Sequence, residues 1–242
     1  MQTETQTQNL VKLDNLLDID SLKRAEIEII LDHAVSMEEV LNRDIKKVPS
    51  LRGKTIVTLF YESSTRTRVS FEQAGKILSA DVININNKTS SNSKGESLYN
   101  TALTIQAIGA DVVIIRHPHS GASHFISKHI KTGVINAGDG THAHPTQALL
   151  DLYTIKKKVG SIEGKNIVLV GDILYSRVAR SHMWGLSKLG ANITICGPET
   201  LIPNDFIKGL KNISGHPFNN IKITSNIDEG LKNADIVMAL RL

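Results

Sequence analysis

The 242-residue sequence has few of the residues on which several classes of protein depend. It contains one cysteine, Cys196, so an internal disulfide framework is excluded and a reducing cytoplasm is the expected compartment. No apolar run is long enough for a membrane-spanning helix, and none follows Met1 as a signal peptide requires. Aromatic residues make up 4% of the chain and basic residues are dispersed, so nucleic acid is not the expected partner despite a net charge of +4. Small anions are better candidates.

Short apolar runs, typical of buried strands, alternate with longer segments that have helical spacing. This alternation predicts an α/β fold in which mostly parallel sheets carry helices on both faces. Strands are expected at residues 55–60, 82–85, 112–116, 133–136, 166–170, 192–196, 221–224 and 235–240. Helices are expected after an N-cap at Asp20 or Ser21, after the run at 61–68 with Val69, Ala74, Ile77 and Leu78 on one side, at 98–108, 145–158 and 178–189, and near Phe206 and Leu231.

The strand and helix pattern restarts after the long helix that ends near Lys158. We therefore expect two domains, residues 1–158 and residues 159–242, each built on a mostly parallel sheet flanked by helices. The chain stops on an apolar strand with no helix after it, although parallel strands need cover on both faces. The second domain is therefore expected to be incomplete.

The strongest local pattern is the run Ser63-Ser64-Thr65-Arg66-Thr67-Arg68, between a predicted strand and a predicted helix. Hydroxyl groups and backbone N–H groups at a helix N-terminus form a cradle for phosphate, and the helix dipole favours an anion there. The alternative is an ordinary N-cap followed by a solvated basic turn. Capping needs one hydroxyl, however, and two arginines in a first turn oppose the dipole unless an anion is present, so a phosphate cradle is preferred.

Two further patterns lie where the predicted fold would bring them to the same crevice. Arg116 ends a predicted strand, and ligands of open α/β sheets bind beyond the carboxyl ends of strands. His144-Pro145-Thr146-Gln147 opens the long helix, with proline at the first helical position and the glutamine about one turn in. A histidine and an amide there could hydrogen-bond a carbonyl oxygen and an amino group. Taken alone, each pattern is more typical of a surface residue or a capped helix.

The order of these patterns resembles the aspartate and ornithine carbamoyltransferase family. The resemblance rests on F-Y-E-S-S-T-R-T-R at 60–68, I-R-H-P at 115–118 and G-D-G-T-H-A-H-P-T-Q at 138–147. It extends through residues 170–173, 176–181 and 197–203 to 238–241, and so covers nearly all of the chain after its N-terminal tail. Within the family the sequence is more similar to the aspartate members, which implies carbamoyl transfer from carbamoyl phosphate to L-aspartate in pyrimidine biosynthesis.

The resemblance implies a role for each matching residue. The phosphate of carbamoyl phosphate would be held by Ser64, Thr65, Arg66 and Thr67. Thr67, Arg116 and His144 would hold the carbamoyl oxygen, and Gln147 the carbamoyl nitrogen. Ser90 and Lys94 match residues that the family inserts into a neighbouring subunit's site, and Lys94, Arg177 and Arg241 match its aspartate binders. The catalytic set is thus expected to be Arg66, Thr67, Arg116 and His144.

The resemblance also implies a homotrimer with shared active sites, which regulatory chains can join in this family, and it implies no cofactor or metal. One departure is that the family's next aspartate contact lies two residues beyond Arg241, whereas this chain ends at Leu242. The polypeptide is therefore expected to bind carbamoyl phosphate better than it turns it over, and an inactive anion-binding member is an alternative.

Three other functions compete with this interpretation. Ornithine carbamoyltransferase would use a cationic substrate, which Arg177 and Arg241 would repel, and its H-C-L-P motif is absent from the sequence. A nicotinamide-dependent oxidoreductase is suggested by a strand followed by Gly171, but the further glycines of a dinucleotide-binding turn are missing. A metal protein is suggested by two H-x-H pairs, 117/119 and 142/144, which no cysteine or carboxylate pair completes.

Overall fold

The computed structural model describes residues 12–86, 96–202 and 221–240, together with Gly209 and Phe218. Strands and helices alternate along these residues. The strands are β1 Thr55–Phe60, β2 Asp81–Asn86, β3 Val112–His117, β4 Gly133–Asp139, β5 Asn166–Val170, β6 Asn192–Cys196, β7 Ile221–Thr224 and β8 Ile236–Ala239. The helices are α1 Arg24–Leu41, α2 Thr65–Ile77, α3 Leu98–Ala107, α4 Ala122–Ser127, α5 Pro145–Val159, α6 Arg177–Lys188 and α7 Ile227–Leu231, with a 3₁₀ turn at Glu199–Leu201.

The strands form two sheets, and all their pairings within the described residues are parallel. The first sheet has the order β2-β1-β3-β4. Leu16 extends it beyond β4, since its N–H donates to the Val134 carbonyl and its carbonyl accepts from the Asn136 N–H, both at 2.8 Å. The second sheet has the order β7-β6-β5-β8. The predicted α/β architecture of two parallel sheets flanked by helices is confirmed.

Helices α5 and α6 form the junction between the two sheets. Gly185 on α6 permits their close approach, because a Cβ at that position would lie 2.8 Å from Leu152 Cδ1 on α5. The same apolar core contains Ile19 and Leu31 from the N-terminal segment and Ile167 from β5. Helices α5 and α6 therefore pack with the second sheet and the N-terminal segment in one core, which fixes the two helices relative to one another, whereas apolar residues of the first sheet form separate clusters.

Several local predictions differ from the structure. The N-cap of α1 is Lys23, not Asp20 or Ser21, which lie in a preceding bend where the Ser21 N–H donates to Asp18 Oδ1 at 2.8 Å. Val69, expected on the packed side of α2, is 52% exposed. Helix α4 was not predicted, and the helix expected near Phe206 lies outside the described residues. No helix within the described ranges is long and apolar enough to cross a membrane.

Candidate active site

The start of α2 presents a cluster of hydroxyl groups. Ser64 is the N-cap residue, and its hydroxyl donates to Thr67 Oγ1 at 2.9 Å. Thr65 and Arg66 follow at the first positions of the helix and are exposed, and the first turn holds no acidic residue. The first N–H groups of a helix have no partner within it, so this turn offers donors and positive charge to an anion.

Arg116 lies at the carboxyl end of β3, as predicted, and its side chain is turned inward. The guanidinium donates from Nη1 to the Ala137 carbonyl at 3.2 Å, and Nε lies 2.9 Å from Glu62 Oε2. The Nε–H is not aligned with that oxygen, so this contact is an ion pair and not a linear hydrogen bond. Burial, followed by the nearby Arg177 charge, lowers the pKa of Arg116, yet an arginine keeps its charge at any physiological pH.

Glu62 joins Arg116 to Arg177, which is the first residue of α6. Arg177 Nη2 donates to Glu62 Oε2 at 2.8 Å, and Nη1 donates to the Gly140 carbonyl at 3.1 Å. The three side chains are 13–28% exposed. Glu62 was not among the residues predicted from the sequence. The available signal was its position as a lone carboxylate directly before the hydroxyl run, among residues otherwise neutral or basic.

A glycine makes room for the two guanidinium groups. Gly138 has a φ of +114°, a backbone conformation that residues with a side chain rarely adopt. A Cβ there would lie 3.0 Å from Arg177 Cζ and 3.3 Å from Arg116 Nη1. The first glycine of the G-D-G segment is therefore needed both for its backbone conformation and for the space it leaves.

His144 is the N-cap residue of α5 and is 6% exposed. Its backbone N–H donates to Ser181 Oγ on α6 at 2.9 Å, and its Nε2 lies 3.5 Å from Arg116 Nη1. Burial, with the charges of Arg116 and Arg177 adding to it, lowers the pKa of His144 to about 3. The imidazole is therefore neutral at physiological pH and can take part in hydrogen bonds without carrying charge.

Gln147 lies one turn into α5, on the helix that His144 opens. Its Nε2 donates to both carboxylate oxygens of Asp151, each at 3.1 Å. Asp151 Oδ2 in turn lies 2.9 Å from Nε2 of His182 on α6. Both Asp151 and His182 are additions to the predicted set of residues.

A cleft of about 400 Å³ lies between the ends of the two sheets, beside the paired arginines. Its lining includes Glu62 and Gly140 from the first sheet's side and Arg177 and Leu240 from the second. The structure thus brings Arg116, His144 and Arg177 together, with the hydroxyl cluster directly following Glu62 in the chain. The predicted site residues Ser90, Lys94 and Arg241 lie outside the described residues.

The glycine that suggested a dinucleotide site and one of the histidines that suggested a metal site, His142, have structural roles. Gly171 has a φ of +122°, and a Cβ there would lie 3.0 Å from the Leu240 carbonyl oxygen, so close packing of strand ends requires the glycine. His142 pairs with Asp139 at 3.1 Å, whereas His144 faces Arg116. No group of three or more potential metal ligands occurs among the residues that the structure describes.

These observations define a class of protein. Two guanidinium groups, one associated with each parallel sheet, share one carboxylate beside a cleft and close to a helix start lined with hydroxyls, which is the geometry of a two-domain α/β protein that binds small anions. Residues 14–157 match the family model described as "Aspartate/ornithine carbamoyltransferase, carbamoyl-P binding domain". Residues 163–242 match the model described as "Aspartate/ornithine carbamoyltransferase, Asp/Orn binding domain". The chain belongs to the aspartate/ornithine carbamoyltransferase family.

Individual relatives lie on the aspartate side of this family. The chain is 55% identical over 229 residues to a protein of Roseiflexus sp. named aspartate carbamoyltransferase catalytic subunit, covering 94% of this chain and 70% of the relative. A protein of the same name from Heliobacterium modesticaldum is 53% identical, with the same coverage. The solved aspartate transcarbamoylase of Trypanosoma cruzi, in complex with carbamoyl phosphate and aspartate, superposes with a TM-score of 0.85 at 30% identity, covering 94% of this chain and 72% of the other.

Proposed function

We propose that this chain is the catalytic polypeptide of an aspartate carbamoyltransferase, which transfers the carbamoyl group of carbamoyl phosphate to L-aspartate and releases phosphate. The names and ligands of the relatives support this assignment. The observation that carries it is the pair Arg116 and Arg177, held 2.8–2.9 Å from one carboxylate oxygen beside the hydroxyl-lined start of α2. Both substrates are anions, so the reaction needs several cations at one cleft without a strongly basic protein.

Carbamoyl phosphate is proposed to bind across the start of α2 and the end of β3. Ser64, Thr65, Arg66 and Thr67 would hold its phosphate, since a helix start with free N–H groups and hydroxyls favours a dianion. Ser90 and Lys94 are proposed to complete this site from the family resemblance. Arg116, His144 and Thr67 would contact the carbamoyl oxygen and Gln147 the carbamoyl nitrogen. Lys94, Arg177 and Arg241 would bind the carboxylates of aspartate.

The chemistry follows from these positions. The uncharged amine of aspartate attacks the carbonyl carbon, and negative charge develops on the carbonyl oxygen. Preorganised donors aimed at that oxygen are worth about 3–4 kcal/mol each in comparable acyl-transfer sites. Holding both substrates in the right orientation supplies up to about 7–11 kcal/mol more. The departing phosphate can accept the amine proton, so no protein side chain is required as a base.

His144 acts in this scheme as a neutral group. Its pKa of about 3 leaves one ring N–H at physiological pH, and Arg116, at 3.5 Å, supplies the positive charge to the same region. A protonated imidazole beside two guanidinium groups would instead add repulsion. The site therefore stabilises the oxyanion by one cation and by neutral donors.

The assembly and location are proposed on the family resemblance. Ser90 and Lys94 would enter the site of a neighbouring copy in a homotrimer, which regulatory chains can join. A cytoplasmic location agrees with the single cysteine of the chain. We place the boundary between the carbamoyl-phosphate domain and the aspartate domain near Lys158, in the last turn of α5.

Ornithine is the alternative second substrate. Its side chain is a cation and would approach Arg177, which is already close to Arg116, so charge repulsion disfavours it. The names of the relatives likewise favour aspartate.

Radiolabelled carbamoyl phosphate offered with L-aspartate or with L-ornithine tests the assignment. We expect labelled carbamoyl-aspartate and no citrulline. Arg66→Ala should lose nearly all transfer, because the exposed guanidinium at the start of α2 is the charge proposed to bind the phosphate. Arg52→Ala, an exposed arginine in the turn before β1, is the matched control and should retain full activity. Normal turnover in Arg66→Ala would remove the phosphate cradle from the mechanism.

A further inference from the structure

The orientation of the Gln147 amide is set by its neighbour on α5. A carboxylate can only accept hydrogen bonds, so the amide nitrogen, and not the oxygen, must face Asp151. The two contacts of 3.1 Å from Nε2 to Asp151 satisfy this requirement. The amide oxygen Oε1 is therefore left to accept hydrogen bonds from another partner. An amino group on a ligand is a suitable partner, whereas a methyl group is not.

Asp151 is itself held by His182 on α6. His182 Nε2 lies 2.9 Å from Asp151 Oδ2, and the His182 side chain is 0% exposed. Nε2 has no aligned hydrogen bond to that oxygen, so the two groups are in close contact without a linear hydrogen bond. Removal of the His182 side chain would leave Asp151 without this contact, and removal of the Asp151 carboxylate would leave both His182 and Gln147 without their partner in a part-buried region.

The second nitrogen of His182 fixes the ring. Nδ1 lies 2.7 Å from the Val178 carbonyl oxygen one turn earlier on α6, so Nδ1 must carry a proton and donate it. Nε2, on the opposite side of the ring, faces the Asp151 carboxylate. Both ring nitrogens thus face oxygen acceptors, which restricts the ring to one orientation and directs it toward Asp151.

We propose that His182 and Asp151 are positioning residues that make Gln147 a hydrogen-bond acceptor and thereby select a carbamoyl group over an acyl group of the same shape. The proposal deepens the proposed function, on which it rests. Acetyl phosphate has a methyl group where carbamoyl phosphate has an amino group, and the two molecules are otherwise alike. Discrimination between them therefore reports on the oxygen of Gln147 and on the two residues that orient it.

Substitutions at three positions separate the orientation of the Gln147 amide from the general packing of α5 and α6. Asp151→Asn keeps the shape, but its own amide can present either nitrogen or oxygen to Gln147, so the orientation of Gln147 is no longer imposed. His182→Phe keeps a ring without nitrogen atoms, and His182→Gln restores a donor for Asp151. Met183→Leu changes the next residue on α6, which is 1% exposed and packs in the apolar core, and serves as the matched control.

Calorimetric titration of each purified, folded variant with carbamoyl phosphate and with acetyl phosphate tests the proposal without requiring turnover. Asp151→Asn and His182→Phe should weaken carbamoyl phosphate binding about 3- to 10-fold, the loss of one neutral hydrogen bond, and leave acetyl phosphate binding unchanged. His182→Gln should recover most of the discrimination, and Met183→Leu should retain all of it.

Two results would overturn the proposal. Equal weakening of both ligands would mean that the pair supports the site only structurally, and unchanged discrimination in both variants would mean that Gln147 is oriented by other groups. Turnover of wild-type protein with L-aspartate is measured separately. If wild-type protein binds carbamoyl phosphate in preference to acetyl phosphate but does not carbamoylate aspartate, the proposed function alone is contradicted. If wild-type protein carbamoylates aspartate and the variants keep the same preference between the two ligands, this inference alone is contradicted. Wild-type protein that binds neither ligand would contradict both.

Discussion

The neutrality of His144 makes the stability of the protein depend on pH in a way that one substitution should isolate. His144 is 6% exposed, and burial together with Arg116 and Arg177 lowers its pKa to about 3. The unfolded chain has no such environment, so there the imidazole titrates near its ordinary value of about 6.5. Replacement by glutamine keeps a polar side chain at the start of α5 and removes the titration.

The direction and magnitude of this change in the free energy of unfolding follow from the linkage between proton binding and folding. Between about pH 6.5 and pH 3 the unfolded state binds the proton and the folded state does not, so the free energy of unfolding falls as pH falls. The contribution is fully present above the unfolded pKa and is lost progressively on acidification. Relative to neutral pH, the loss from His144 alone is about 2 kcal/mol at pH 5 and approaches about 5 kcal/mol below pH 3.

Other groups also titrate, so the difference between wild type and His144→Gln is the quantity to measure. Asp20, whose pKa burial raises to about 7, contributes with the opposite sign, because its stabilising neutral form is lost as pH rises. Urea unfolding at pH 7.5 and pH 5, followed by the fluorescence of the single tryptophan, Trp184, gives the four free energies. We expect the wild type to lose about 2 kcal/mol more than the variant. Equal losses would show that His144 is not held neutral by its surroundings.

Two further substitutions test the paired arginines. Glu62→Gln should lower the free energy of unfolding by about 1–3 kcal/mol, because two part-buried cations lose their counter-charge, and added phosphate should restore more stability to it than to wild type in thermal-shift measurements. Glu72→Gln, which alters a surface pair, should behave like wild type. Gly138→Ala should cost about 1–3 kcal/mol and raise the KM for aspartate by displacing Arg177. Gly53 has a φ of +77°, and a Cβ there would have no atom within 4 Å, so Gly53→Ala should lower stability without changing the KM for aspartate. An equal increase in KM in Gly53→Ala would refute the steric argument.

Much of the fold could be predicted because its strands are short runs of β-branched residues with clear boundaries. The predicted strands at 55–60, 166–170, 192–196 and 221–224 coincide with β1, β5, β6 and β7. Helix faces were harder to predict. Val69 has the spacing of a core residue but is 52% exposed, because apolar periodicity does not say which surface of a helix finds a partner within the chain.

The site could be predicted where a side chain follows directly from a strand or opens a helix. Arg116 lies at the carboxyl end of β3, and His144 and Arg177 lie at the starts of α5 and α6, so their placement at one edge follows from the fold. Glu62 has no such pattern. Its importance comes from a partner 115 residues away in the chain, and one carboxylate without period or motif does not reveal a contact of that kind. The link from His182 to Asp151 escaped prediction for the same reason, since it depends on how α5 packs against α6.

The position of Glu62 bears on how a site with two adjacent guanidinium groups stays folded before substrate arrives. Like charges in a part-buried site repel, and desolvation adds to the cost of each. One carboxylate oxygen lying 2.8–2.9 Å from both arginines offsets these costs and keeps both side chains in a fixed arrangement. An incoming substrate carboxylate or carbonyl then meets donors that are already in place, so little reorganisation is needed. A bound anion therefore replaces Glu62, or joins it, as the partner of the two arginines. We accordingly expect a substitution of Glu62 to change substrate affinity as strongly as a substitution of either arginine.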